Sequence, residues 1–134
     1  MFDQNDELRI FTLEEAQSML PELRSNLLMI QEEKKKLDQL RRELRRLTPA
    51  MRGNGHAEEA SDLDQQIRSK VDVLRDRIEA ITDQGVLLKD IDNGIVDFPA
   101  RREGRVVLLC WMISEPEIAH WHELDAGFQG RQPL

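Results

Sequence analysis

Leucine and isoleucine recur at steps of three and four along two stretches of this chain, and that spacing limits what it can fold into. Leu20, Leu23, Leu27 and Ile30 begin one stripe, which resumes at Leu37, Leu40, Leu44 and Leu47. Ala60, Leu63, Ile67, Val71, Leu74, Ile78 and Ile81 form a second. Such steps place side chains on one face of a helix. Thr12-Leu13-Glu14-Glu15 reads as a capping box, in which hydroxyl and carboxylate each satisfy a free backbone amide. Pro21 lacks the amide that would bond Gln17, so a kink is expected there, or a helix that properly begins at Pro21. Lys34 falls in the stripe where an apolar residue is expected. Thr48-Pro49 marks the stop, because a residue before proline avoids the helical region. Pro49 to His56 reads as a turn centred on Gly53-Asn54-Gly55. Helices of roughly 35 and 26 residues would be ~50 and ~39 Å long. Neither can bury its stripe alone. The expectation is a long antiparallel, coiled-coil-like helical hairpin over residues 12–83, after an N-terminal arm of residues 1–11.

Composition changes at Gln84-Gly85. Residues 84–134 hold five of the seven glycines, both tryptophans and the single cysteine. They read as a small antiparallel β-meander of three to four strands with an ordered tail, which makes the fold class α+β. Val86–Asp92 and Ile95–Phe98 flank Asn93-Gly94, a strong signal for a two-residue hairpin turn. Pro99 is expected to close the second strand, and Arg101-Arg102-Glu103-Gly104 to form the next turn. Arg105–Ile113 is the most apolar run and the expected central strand. Ile118–Leu124 reads as a fourth strand, although Ser114-x-x-Glu117 equally suits the cap of one helical turn.

Charge and targeting signals exclude several classes. The 134 residues carry 19 Lys+Arg against 26 Asp+Glu, a net charge of −7. A general nucleic-acid binder needs clustered cations, so that class is disfavoured. The run Lys34–Arg46 has a local positive excess and reads as a solvated face laced with i,i+4 pairs such as Glu32–Lys36 and Asp38–Arg42. No apolar run reaches the length of a membrane span. The start Met1-Phe2-Asp3-Gln4-Asn5-Asp6-Glu7 lacks the pattern of a signal peptide, and the expected location is the cytoplasm. One cysteine allows no internal disulfide.

The chemistry-bearing side chains cluster late in the chain. Cys110, Glu115, Glu117, His120, His122, Glu123 and Asp125 supply thiolate, imidazole and carboxylate, the donors that bind divalent transition metals. On a strand His120 and His122 share a face and can converge on one ion; on a helix they diverge. Asp90 and Asp97 are expected to face each other across the Asn93-Gly94 hairpin, where two carboxylates repel or hold a hard cation. Arg131 is expected to bond a carboxylate, Asp97 or Asp125, and Phe128 to pack on the sheet. Phosphate-loop, dinucleotide and nucleophile-elbow motifs are absent. Nucleophilic catalysis has only Cys110 with His122 to draw on, and a buried cysteine without a nearby cation is inert.

Several segments carry a resemblance. Gly85–Asp92, Gly94–Pro99, Leu109–Trp111, Glu115–Glu117, Trp121–Glu123 and Gly127–Pro133, with Phe11–Ala16 and Leu20–Leu23, are similar to the bacterial family known as domain of unknown function 2203. The resemblance implies a helical hairpin with a compact C-terminal part, and brings no activity, substrate or cofactor. It favours His122 over His120 as a ligand, because Trp121-His122-Glu123 is part of the shared pattern. Where the family usually has glycine, this chain has Ser114.

Two functional expectations follow. The first is an interaction module that self-associates through its hairpin as a homodimer, or receives a helical protein partner. The second is a metal-binding protein or metal-dependent enzyme centred on His122.

Overall fold

The computed structural model describes residues 8–47 and 49–134, and at Arg52 and Asn54 the backbone alone. The readings made for residues 1–7 and for Thr48 lie outside the described residues. Helix α1 spans Leu13–Arg46, and its N-terminus is the expected capping box: the Thr12 hydroxyl accepts from the Glu15 amide at 3.1 Å and Glu15 accepts from the Thr12 amide at 2.9 Å. The Thr12 amide, and after it the Thr12 hydroxyl, hold the Glu15 carboxyl below its ordinary range. The helix runs through Pro21 and does not begin there. The expected Gly53 turn is instead helical. A short helix α2, Pro49–Met51, leads through one wide π turn, Arg52–His56, into helix α3, Ala57–Thr82. Among the described residues no helix is long and apolar enough to cross a membrane.

Five antiparallel strands follow in chain order across one sheet: β1 Leu87–Asp90, β2 Ile95–Arg102, β3 Arg105–Met112, β4 His120–His122 and β5 Gln132–Pro133. The meander is therefore one short strand longer than expected, because the tail pairs with β4. The strand reading of Ile118–Leu124 holds only at its centre, His120–His122. One sheet face, with Val96, Phe98, Leu109, Trp111 and Trp121, packs against Leu20, Leu23, Leu27 and Ile30 of α1 in a single apolar cluster. Burying such side chains contributes about 1.5–3 kcal/mol each, so hairpin and sheet stabilise one another.

Two turns and one strand end differ from expectation for physical reasons. Asn93-Gly94 is not a two-residue turn: Asp90 pairs with Ile95 and Leu87 with Asp97. Asp90 accepts from the Asn93 backbone amide at 3.0 Å and from its side chain at 2.9 Å, while Gln31 of α1 donates to the Ile91 carbonyl at 3.0 Å. The two-residue turn lies at Glu103-Gly104, where both φ values are positive, 52° and 81°. That matches the twist of the flanking strands. Pro99 does not end β2. It pairs with Leu108, and its carbonyl turns away from β3 to accept from the Phe11 amide at 2.7 Å. The missing N–H lies on that same side, beyond the end of β1, so no ladder bond is lost.

α1 also carries a polar row beside its apolar stripe. Gln17 bonds the Ile118 backbone, Arg24 the Ile113 and Glu115 carbonyls, and Gln31 the Ile91 and Asp92 carbonyls. Lys34 pairs with Asp92 at 2.6 Å. The out-of-pattern lysine is thus a fastener between helix and hairpin turn. Gly94 shows how closely this corner packs: its φ is +64°, and a Cβ there would lie 2.6 Å from the Ile113 side chain. Gly94→Ala is expected to cost about 2–3 kcal/mol in urea denaturation, from left-handed strain and displacement of Ile113 together.

Candidate metal centre

The sheet face turned away from the helices carries a polar cluster. Asp97 of β2 lies directly opposite Cys110 of β3, and His122 of β4 is diagonal to Cys110, opposite Leu108. Alternation on each strand sends all three side chains to this face. Asp97 is 1% exposed and His122 2%. One donor atom from each of Asp97, Cys110 and His122 lies within 4.8 Å of the others, the one such group of three among the described residues.

The hydrogen bonds define which atoms are free. His122 Nδ1 lies 2.8 Å from the Glu123 carbonyl oxygen, which can only accept, so Nδ1 carries the proton and donates. Nε2 lies 3.1 Å from Asp97 Oδ2. With Nδ1 already donating, Nε2 can meet this carboxylate oxygen only through a second ring proton or through a metal ion shared between the two. Asp97 Oδ1 is buried with no hydrogen-bond partner. Burial, and then the adjacent Asp97 carboxylate, push the Cys110 thiol up to about 12.

These facts exclude a cysteine nucleophile of the triad type. A general base needs one ring nitrogen for the thiol and the other for its orienting acid. Here one nitrogen is held by a carbonyl and the other faces the acid. A thiol raised by burial and a neighbouring anion is also the opposite of an activated one. Chelator-treated protein is expected to show Cys110 labelling by a disulfide reagent at pH 8 at least a hundredfold slower when native than in urea. The same shift sets a pH dependence. The unfolded thiol ionises first, near its ordinary value of 9.0, so this group's stabilisation is complete below that pH and is lost as pH rises towards about 12. Urea midpoints from pH 7 to 11 check it.

The other candidate residues lie elsewhere. His120 does not converge with His122: its Nδ1 accepts from Arg131 at 2.7 Å. Arg131 bonds neither Asp97 nor Asp125. It donates to both Glu115 oxygens, at 2.8 and 2.7 Å, and Glu115 also accepts from the Met112 amide at 2.8 Å. Glu123 grips Arg105 at 3.0 and 2.6 Å, which holds its carboxyl below the ordinary range. Glu117 and Asp125 are exposed. Asp90 is engaged by Asn93 rather than facing Asp97. Ser114 needs no glycine, since Glu103 is the one non-glycine residue with positive φ among those described.

The tail crosses this face and roofs a cavity of about 260 Å³, with Asp97 and His122 in its wall and Leu124, Gly127 and Phe128 at its rim. Phe128 is thus at the edge of the sheet face, under the Arg131 guanidinium at 4.5 Å. A larger hollow near Phe11 and Ala100 holds no donor cluster.

No curated protein and no solved structure matches the chain. A family model does, from residue 9 to residue 134, which is nearly its whole length. The chain belongs to that family, the uncharacterized conserved proteins DUF2203.

Proposed function

We propose that this protein binds a divalent transition metal of the zinc class through Asp97, Cys110 and His122. The observation that carries the reading is His122 itself. Its Nδ1 is anchored on a backbone carbonyl, the usual support of a ligating histidine, and its Nε2 faces a buried carboxylate with an orphaned oxygen. Metal bonds of about 2.0–2.3 Å separate the ligand atoms of a tetrahedral centre by roughly 3.3–3.8 Å, which these three side chains reach with small rotations. Thiolate, imidazole and carboxylate together suit zinc, cobalt or iron better than calcium or magnesium. Three protein ligands leave a fourth position, and the cavity beside Asp97 and His122 gives it room. That is the pattern of a centre that meets a water or a substrate, where structural zinc sites are closed by four protein ligands.

This reading stands ahead of self-association through the hairpin. Leu20, Leu23, Leu27, Ile30 and Leu37 are buried within the chain, so most of the α1 stripe is already covered. The test is Co²⁺ titration of the chelator-treated chain. One Co²⁺ per chain is expected, with thiolate-to-cobalt charge-transfer absorption that vanishes in Cys110→Ser. Absence of binding, or binding without that absorption, overturns the proposal.

A further inference from the structure

The cavity over the centre has an uneven lining. Lys89, exposed at the rim, is the cation of the lining, and Ile95, Leu108, Leu124 and Phe128 make much of the rest apolar. Among the described residues Lys89 forms no ion pair: its neighbour Asp90 is engaged by Asn93, and Asp97 faces His122. Leu124 and Phe128, at the rim, are 55% and 37% exposed, so apolar surface is left for an occupant to cover. The volume of about 260 Å³ is below the roughly 300–1,000 Å³ of sites for drug-sized ligands.

Resting on the metal reading, we infer that the cavity takes a small monocarboxylate with an apolar body no larger than one ring or a short chain. Its carboxylate enters the metal's fourth position in the field of Lys89, and its body rests on Ile95 and Leu108 and covers Leu124 and Phe128. The unpaired lysine and the open metal position both call for an anion. The apolar walls choose among anions: inorganic phosphate would meet the same cations and leave the walls bare, and so would acetate. Apart from Lys89, the polar side chains of the lining are Asp90, Asp97 and His122, all already engaged, so none is on hand to bind a hydroxylated body.

The experiment uses the full chain loaded with Co²⁺, read by its visible absorption, and titrated with benzoate, acetate and inorganic phosphate. Benzoate is expected to change the Co²⁺ spectrum and to bind at least tenfold more tightly than acetate or phosphate. In Lys89→Met the ligand-free spectrum stays as in the wild type, because the residue lies at the exposed rim, and benzoate affinity falls at least tenfold. A Co²⁺ spectrum indifferent to benzoate overturns this inference alone, as does phosphate binding as tightly as benzoate or a Lys89→Met variant with unchanged affinity. A chain that binds no Co²⁺ overturns the metal reading, and this one with it.

Discussion

Replacing His122 with alanine is expected to weaken Zn²⁺ binding at least a hundredfold and to lower the stability of the metal-free fold by about 3 kcal/mol or more. Both effects come from one side chain. His122 supplies the ligand nitrogen that is already oriented, its Nδ1 fixed on the Glu123 carbonyl. Its removal also leaves the Asp97 carboxylate, 1% exposed, without its imidazole partner and beside the Cys110 thiol. Burying a bare carboxylate costs several kcal/mol unless it takes up a proton. His122→Ala alone would therefore confound ligand loss with fold loss. Asp97→Asn separates them: it removes the charge and keeps the shape, so the fold is expected to lose less than about 1 kcal/mol while metal affinity still falls strongly. Calorimetric Zn²⁺ titration and urea denaturation of the two variants give the two numbers. Equal Zn²⁺ affinity in wild type and Asp97→Asn would leave the cluster a hydrogen-bonded pair beside an inert thiol, and would sink the metal reading.

How far this centre was legible in the sequence depends on strand register. Cys110 and His122 stood out as donors because their residue types bind metals. Asp97 stands out too, but Asn93-Gly94 taken as a two-residue turn sets it opposite Asp90. Bonds from Gln31 and Asp90 make that turn longer, and Leu87 becomes the partner of Asp97. Counting outward from Glu103-Gly104 instead places Asp97 opposite Cys110. Only Gly104 signalled that turn, since Glu103 is not a residue that favours the positive φ it adopts, and Asn-Gly is the far stronger form of the signal. The position of His122 carried no comparable signal. Its register is set by the irregular stretch between β3 and β4, and that stretch is held from α1 by Gln17 and Arg24. These long-range bonds come from polar residues seven apart beside an apolar stripe, a pattern that reads equally well as a solvated face. The helices were legible for the opposite reason. Capping at Thr12 and burial at Leu20, Leu23, Leu27 and Ile30 are local or periodic, so no register has to be known.

The tail that roofs the cavity is expected to depend on Arg131. Its guanidinium Nη2 bonds both oxygens of Glu115 and the Nδ1 of His120, and the group lies over the Phe128 ring. One side chain thus ties the end of the chain to the β3–β4 connection, to β4 and to the rim of the cavity. Beyond it β5 adds only two residues to the sheet, with the Leu134 amide donating to the Ala119 carbonyl at 3.0 Å. So short a strand cannot hold the tail by itself. Arg131→Met keeps the length of the side chain and removes the donors, leaving Glu115 with the Met112 amide and with His120 at 3.5 Å. The pair is partly exposed, at 11% and 19%, so its loss is expected to cost about 2 kcal/mol, less than the 3–5 kcal/mol of a fully buried pair. The larger effect is local. Amide exchange at Trp121 and Leu134, whose N–H groups face across the β4–β5 pair, is expected to accelerate at least tenfold, and bound Zn²⁺ to leave at least tenfold faster, because the rim at Gly127 and Phe128 is freed together with the tail. Arg131→Lys is expected to lie between: its ammonium replaces the charge but not the planar fork, nor the stacking on Phe128. Hydrogen exchange that stays unchanged in Arg131→Met would show that β5 docks the tail without its arginine. Unchanged Zn²⁺ dissociation beside accelerated exchange would show instead that the roof opens without governing access to the centre.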